Sequence, residues 1–243
     1  MSSLTVLTQN IWGGVPRWTE RAPLLRERIA ALLPEVVGLQ EVHTHEGRSQ
    51  AHELAPKGYR VYFAPGRRYG DNAEGIALLV RGDARAHEPR ALTLDPSDRF
   101  EGRNQRVVLA ITVDRREGPI DFFVTHLSLS RTARMRTAVE LLAFMDDVHA
   151  STKSTAAVLL GDLNAEPHEP AVALLEEKLT DAWRAARGAE RGGTWPAVLP
   201  FRRIDYVFTR GALVVDGCKR VPYSGSDHLG LLARLRARTT ADR

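Results

Sequence analysis

Short apolar runs bounded by Gly, Pro, Asp or Asn recur along the chain. They predict strands at Leu4–Gln9, Val36–Gln40, Tyr59–Ala64, Gly75–Arg81, Val107–Asp114, Asp121–Leu127, Ala156–Gly161, Ile204–Thr209 and Leu229–Leu235. Most are too short for helices, and they are rich in Val, Ile and Leu. Between them the apolar period lengthens to that of a helix. Glu20–Leu33 places Leu24, Leu25, Ile29, Leu32 and Leu33 on one face, begins after Thr19 and stops at Pro34. Arg131–His149 turns Val139, Leu141, Leu142, Met145 and Val148 inward, and a third helix is expected near Ala171–Leu179, behind two prolines. No repeat, low-complexity tract or linker interrupts the pattern. The expectation is one α/β domain over 1–243, with two packed layers of strands and helices outside.

Composition removes whole classes of function. A chain of 243 residues that is 43% hydrophobic and 26% charged can bury a substantial core, which excludes disorder, fibre and coiled coil. No apolar run approaches the roughly 20 residues of a membrane span. No segment reads as a basic interfacial helix or as an exposed apolar hairpin suited to a lipid surface. Met1 to Asn10 runs straight into a strand pattern, without the basic start and apolar stretch of a targeting segment, so a cytoplasmic location is expected. The one cysteine, Cys218, excludes an internal disulfide and a Cys-based zinc site and leaves oxygen and nitrogen ligands for any metal. A net charge of +4 permits an anionic partner without demanding one. The chain is expected to act as a monomer.

Polar residues gather at strand ends, where a rigid sheet can mount reactive groups on short loops. Asn10 closes the first strand in Thr8-Gln9-Asn10-Ile11-Trp12-Gly13-Gly14. Glu41 follows Leu39-Gln40, and His126 sits in Thr125-His126-Leu127. Gly161-Asp162-Leu163-Asn164 follows an apolar strand, Ile204-Asp205-Tyr206 opens the next, and Ser226-Asp227-His228 precedes the last.

In these motifs and their order, over nearly its whole length, the chain resembles the endonuclease/exonuclease/phosphatase superfamily, which includes deoxyribonuclease I, exonuclease III, bacterial sphingomyelinases and inositol-polyphosphate phosphatases. The resemblance implies a four-layer α/β/β/α sandwich, two mixed β-sheets packed together and flanked by helices. It also implies a divalent metal and hydrolysis of a phosphoester in the cleft between the sheets. Such chemistry needs a hard cation for the charge on the phosphoryl oxygens, an aligned water and a proton for the leaving oxygen. Oxygen ligands suit Mg²⁺, with Mn²⁺ as the alternative.

The resemblance assigns roles residue by residue. Glu41 is the expected metal ligand, because the family's glutamate follows the same Leu-Gln, with Asn10 and Asp227 as further oxygen donors. Asp162 orients or deprotonates the attacking water, and Asn164 donates an amide N–H to a phosphoryl oxygen. In extended chain these two alternate positions point to one side, although Gly-Asp-x-Asn also suits an Asx turn. His228 is expected to pair with Asp205, as in the family, and His126 with Glu74, as in the deoxyribonuclease I branch. His126 is then the general acid and His228 the general base or charge stabiliser, or the reverse. Arg106, in Asn104-Gln105-Arg106-Val107, matches an arginine near the phosphate. Trp12 either stacks on the substrate or packs the cleft floor. His43 and His45 read as surface or loop residues.

Exonuclease III relatives carry an acid where this chain has Trp12 and a tyrosine where it has His126, which argues against abasic-site cleavage. A phosphodiester in nucleic acid is the favoured substrate. A phospholipid, or a small phosphomonoester, is the alternative, and a catalytically lapsed binding module ranks last. If Glu41, Glu74, Asp162, Asp205 and Asp227 share one cleft, the remaining 25 acids face 34 bases. A basic rim around an acidic centre then follows, with Arg67-Arg68-Tyr69 and Arg202-Arg203 as loops able to track a polyanion.

Overall fold

Two parallel strand pairs, each joined by a helix, organise the molecule, because a parallel connection needs a long crossover and a helix supplies it. The computed structural model describes residues 3–82, 85–94, 105–239 and 242; Asn104 of the arginine motif lies outside them. In the first half β1 (Ser3–Asn10) is joined by α1 (Trp18–Leu32) to its parallel neighbour β2 (Val36–His45). β3 (Arg48–Ser49), α2 (Gln50–Leu54), β4 (Tyr59–Tyr69) and β5 (Asn72–Arg81) follow. In the second half come β6 (Arg90–Thr93), β7 (Val107–Val113) and β8 (Ile120–His126), and α3 (Arg131–Thr152) carries the chain to β9 (Ala156–Asp162), parallel to β8. α4 (Pro170–Glu176), β10 (Thr180–Asp181), α5 (Ala182–Arg187), β11 (Asp205–Gly211), β12 (Leu213–Arg220) and β13 (Leu231–Ala237) complete the order.

One sheet runs β12-β13-β1-β2-β5-β4 with β3 on β2, and the other runs β10-β11-β9-β8-β7-β6. Both are mixed. Their inner faces meet in a core of Val6, Val36, Leu78, Leu109, Phe122, Val124, Val158, Leu160, Val207 and Leu231. Outside the first sheet, Leu25 and Ile29 of α1 pack on Leu7, Val37 and Leu79. Outside the second, Leu141 and Met145 of α3 and Leu175 of α4 pack on Val108, Phe123 and Leu159. The result is the four-layer α/β/β/α sandwich, and the central strands, covered on both faces, read as continuous apolar runs for that reason.

Several details depart from the sequence expectation. Leu24 on α1 is 46% exposed and Leu33, just past its end, is 50% exposed, and the buried stripe is Arg21, Ala22, Leu25 and Ile29. On α3, Val139 is 53% exposed and Leu142 half-buried, since the helix turns Ala138, Leu141, Phe144, Met145 and Val148 inward instead. Runs of adjacent leucines make the face ambiguous until a sheet selects it. β12 escaped detection because it is an edge strand with Asp216 and Gly217 inside it and a bulge between Val215 and Gly217. β6, an edge strand of four residues, was equally faint.

Leu160 is fully buried between the sheets. Leu160→Ala is therefore expected to cost about 2–5 kcal/mol in a denaturant titration. Val139→Lys should stay within about 0.5 kcal/mol of the parent.

Candidate active site

Strand register delivers the polar residues to one end of the sandwich. Across β9, Asp162 lies opposite His126 of β8 on one side and Asp205 of β11 on the other. In the facing sheet Asn10 lies opposite Gln40, which places Glu41 one residue further on. The Ser226-Asp227-His228 loop is tied to the end of β1: Ser226 Oγ donates to Asn10 O at 2.7 Å, and Gln9 Nε2 donates to His228 O at 3.2 Å.

Asn10, fully buried, links the two sheets. Its amide nitrogen donates to Glu41 Oε1 at 2.9 Å and to Asp162 Oδ2 at 3.0 Å. Its oxygen accepts the Trp12 N–H at 3.0 Å, and that bond fixes the amide orientation. Asn10 thus turns a donor, not the expected ligand oxygen, toward the carboxylates. His228 stands between two acids, with Nδ1 2.9 Å from Asp205 Oδ2 and Nε2 3.7 Å from Asp162 Oδ2. Burial works against its imidazolium, but Asp205 and Asp162 outweigh burial and push its pKa up to about 10. Burial and the neighbouring Asp205 raise Asp162 to about 7, against the pull of His228. Burial also raises Glu41, opposed by its bond from Asn10.

His126 does not meet Glu74. It lies 3.6 Å from Asp162 Oδ2, and its Nε2 accepts from Asn164 Nδ2 at 3.0 Å. Burial, with Arg106 and His228 adding to it, holds the His126 pKa well below the usual value, so the ring is neutral. Glu74 faces β2 instead, because its register partner there is His43, and their side chains approach to 4.0 Å. His43 also bonds Tyr69 and is half-buried on β2, so it is neither a loop residue nor freely exposed. Asn164 sits past the strand with φ of 50°, its N–H donating to Asp162 Oδ1 at 2.8 Å in an Asx turn. Its amide also donates to Leu127 O at 3.0 Å. Both amide hydrogens are engaged within the protein, and the extended geometry expected for Asp162 and Asn164 is not adopted. Arg106 shares a narrow crevice with Glu74 and His126.

The residue that sequence reasoning missed is Arg21 of α1, 8% exposed. Its guanidinium donates to the carbonyls of Ile11, Trp12, Val15 and Gly225 at 2.8–3.1 Å and stacks between Trp12 and Trp18. It clamps the loop after β1 to the loop carrying Asp227, and Trp12 serves as packing for it. Thirty arginines hid this one, and only its place on an otherwise apolar helical stripe singled it out. Gly13 N–H donates to Glu41 O, where Glu41 adopts a left-handed φ of 56°, and a Cβ on Gly13 would lie 2.2 Å from that oxygen. Trp195 Nε1 donates to Asp227 Oδ2 at 3.0 Å.

The acids suit a divalent cation. Asp205 Oδ1 and Asp227 Oδ1 are buried without a hydrogen-bond partner, which is costly for a carboxylate unless a cation or proton meets it. Asp162, Asp205 and His228 lie within 4.8 Å of one another through one atom each, but an imidazole that keeps its proton offers no lone pair, so the donors to a cation there are the two acids. Asp227 lies close enough to Glu41 to add to the upward push on the Glu41 carboxyl.

A model described as the Endonuclease/Exonuclease/phosphatase family matches residues 7–228. The chain belongs to this family. No curated protein matches its sequence. Among solved structures, the human Nocturnin catalytic domain with a bound sulfate anion is 22% identical with a TM-score of 0.77, over 97% of this chain and 93% of that one. An endonuclease/exonuclease/phosphatase from Beutenbergia cavernae is 26% identical with a TM-score of 0.76, over 98% of this chain and 72% of that one. The Bacteroides thetaiotaomicron mannosyl-6-phosphatase is 18% identical with a TM-score of 0.78, over 96% of this chain and 99% of that one. Likenesses this distant concern the fold, while membership makes the protein an endonuclease/exonuclease/phosphatase-type phosphoesterase.

One feature of this family member corrects the sequence reading of its surface. The turn between Trp195 and Arg202, joined by an antiparallel bridge, exposes Val198, Leu199 and Phe201 at 92%, 75% and 62%. An apolar turn of this kind was not expected, and Ala197 N–H anchors it to Asp227 O at 2.7 Å, at the lip of the acidic centre. No helix among the described residues is long and apolar enough to cross a membrane.

The charge on His228 has a measurable signature. Its folded pKa of about 10 lies above the ordinary 6.5, so the stability it contributes is full below about pH 6.5 and is lost as the pH rises toward 10. In EDTA, the melting temperature of the parent should fall more steeply between pH 7 and 10 than that of His228→Gln. Parallel curves would show that the ring is not held protonated.

Proposed function

We propose that the protein is a divalent-metal-dependent phosphodiesterase and that its substrate is nucleic acid. The observation that carries the reading is Asp162, buried between two imidazoles and within reach of Glu41 through Asn10, beside carboxylate oxygens that lack partners. Glu41 and Asp227 would hold the cation, Mg²⁺ or Mn²⁺, which supplies charge neutralisation at the phosphoryl oxygens.

This chain's residues do the rest. A carboxylate raised to about 7 is matched to accepting a proton from water at neutral pH, which suits Asp162 as general base. Water oxygen attacks phosphorus, the water proton goes to Asp162, and the bond to the leaving oxygen breaks as that oxygen takes a proton from solvent water at the open mouth of the site. His228 keeps its proton and presents Nε2–H to the developing charge, with Asp205 fixing the ring through Nδ1. His126 is neutral, so it is better suited to orienting Asn164 than to acting as an acid. Asn164 in turn holds Asp162 through its backbone N–H. Arg106, which lines one crevice with Glu74 and His126, would meet the phosphate's outer oxygens or the departing group.

A second reading, hydrolysis of a phospholipid, is favoured by the exposed turn at Val198, Leu199 and Phe201, which adjoins Asp227. An activity panel separates the two. With Mg²⁺ the protein should cut single-stranded oligonucleotides and bis(p-nitrophenyl) phosphate, EDTA should abolish both, and Asp162→Asn should lower kcat by about 10²–10⁴ without lowering the melting temperature. Phosphocholine release from liposomes, with nucleic acid untouched, would replace the first reading by the second. Turnover unaffected by EDTA, or no phosphoester cut at all, would sink both.

A further inference from the structure

We infer that the large cavity beside the candidate active site binds a nucleoside unit of the substrate, next to the phosphate that is cut. The inference rests on the phosphodiesterase reading and names the substrate group that this protein holds beyond the phosphate. The cavity, about 910 Å³, opens between the edge strands β4 and β6 and is lined by Phe63, Arg67, Arg68, Tyr69, Arg90 and Val107 among others. It does not stand apart from the chemistry. Gly66, Arg67, Gln105 and Val107 line both it and the crevice that holds Glu74, Arg106 and His126. Cavity and crevice therefore lie side by side with these residues as their common border, so a group attached to a phosphate beside His126 adjoins the cavity.

The chain is shaped at the neck of this path. β4 carries a bulge between Pro65 and Arg67, which breaks the strict alternation of side chains just where crevice and cavity meet. Gly66 approaches the opposite wall so closely that a Cβ would lie 2.4 Å from the carbonyl oxygen of Gln105. A side chain there would collide with that wall at the neck.

The lining chemistry selects the ligand class. Val107 and Leu109, 4% and 2% exposed, form an apolar floor, with Phe63 half-buried beside it. Tyr69, 39% exposed, and the exposed Arg68 stand at the rim on the hairpin tip. Arg90 is already engaged by Asp147 and the Phe144 ring, so the exposed Arg67 and Arg68 are the cations at the rim. A flat ring on an apolar floor, with an aromatic edge and an arginine for an adjoining phosphate, describes a nucleoside within a phosphodiester. The volume lies in the range of about 300–1,000 Å³ typical of small-molecule sites. A sugar phosphate would set its hydroxyls against the apolar floor, and an acyl chain would gain nothing from the arginines.

The test compares esters that differ only in the nucleoside. With Mg²⁺, kinetics are measured on thymidine 5′- and 3′-(p-nitrophenyl phosphate) and on bis(p-nitrophenyl) phosphate, for the parent, Ala91→Trp and Arg68→Glu. Ala91 lines the cavity from β6 and is exposed, so tryptophan fills the space without entering the core. Ala91→Trp should raise KM for at least one thymidine ester about tenfold or more, the loss expected for a base stack, and leave bis(p-nitrophenyl) phosphate within twofold. Arg68→Glu should raise the same KM in a salt-dependent way. Equal effects on all three esters, or none, would overturn the proposal. Calorimetric binding of thymidine 3′,5′-bisphosphate gives a readout independent of turnover: the parent should bind it and Ala91→Trp should not. If the parent binds the bisphosphate but cuts no ester, the phosphodiesterase reading fails and the site stands. If it cuts the esters but does not bind the bisphosphate, the site fails and the reading stands.

Discussion

Carboxylates crowded together in buried positions at one end of the sandwich are the constraint around which this molecule is arranged. Asp162 and Asp205 are neighbours across a strand pair and both are buried, a placement that like charges in a low-dielectric setting resist. His228 relieves it by holding a proton between them, and the displaced cost shows in Asp162, raised to about 7. A group poised to take a proton at neutral pH is thus a by-product of the same crowding. Glu41 adds another acid within reach of Asn10. Such a cluster persists only where a well-packed frame over-determines it.

The frame is the pair of parallel crossovers. Because β1 and β2, and likewise β8 and β9, run in the same direction, their C-terminal ends lie side by side. The antiparallel neighbour β11 begins at that same end, and so Asp205 joins the group. Two loops then need to be held. Arg21, reaching four backbone carbonyls from a buried position, closes the loop after β1 against the loop of Asp227. Carbonyls cannot be satisfied by an apolar side chain, which is why a charged residue occupies the buried stripe of α1.

Around this centre the sandwich differs from side to side. Toward the edge strands β4 and β6 lies a basic, partly aromatic cavity, and beside Asp227 stands an exposed apolar turn. Membership in the family does not by itself fix the phosphoester, so discrimination would fall to these flanks. The basic rim deduced from charge balance has a place in the cavity's Arg67 and Arg68, while Arg203 of the other basic pair is buried against Asp181.

The amino-acid sequence alone carried the α/β class, the central strands, the family and the set of polar residues at strand ends. Those features are local, since apolar runs, turn residues and short motifs are written in adjacent positions. It did not carry partner choice. Glu74 pairs toward His43 and not His126 because the β2–β5 register sets who faces whom, and no spacing along the chain encodes that register. Nor did it carry the donor role of Asn10, which the Trp12 N–H decides, or the work of Arg21, whose acceptors come from segments 6 to 204 residues away. Helix faces were misjudged at Leu24 and Val139 because neighbouring apolar residues offer several stripes, and only contact with a sheet selects one. Local chemistry is spelled by residue identity, whereas pairing, protonation and cavity shape arise from distances that exist only once the sheets have packed.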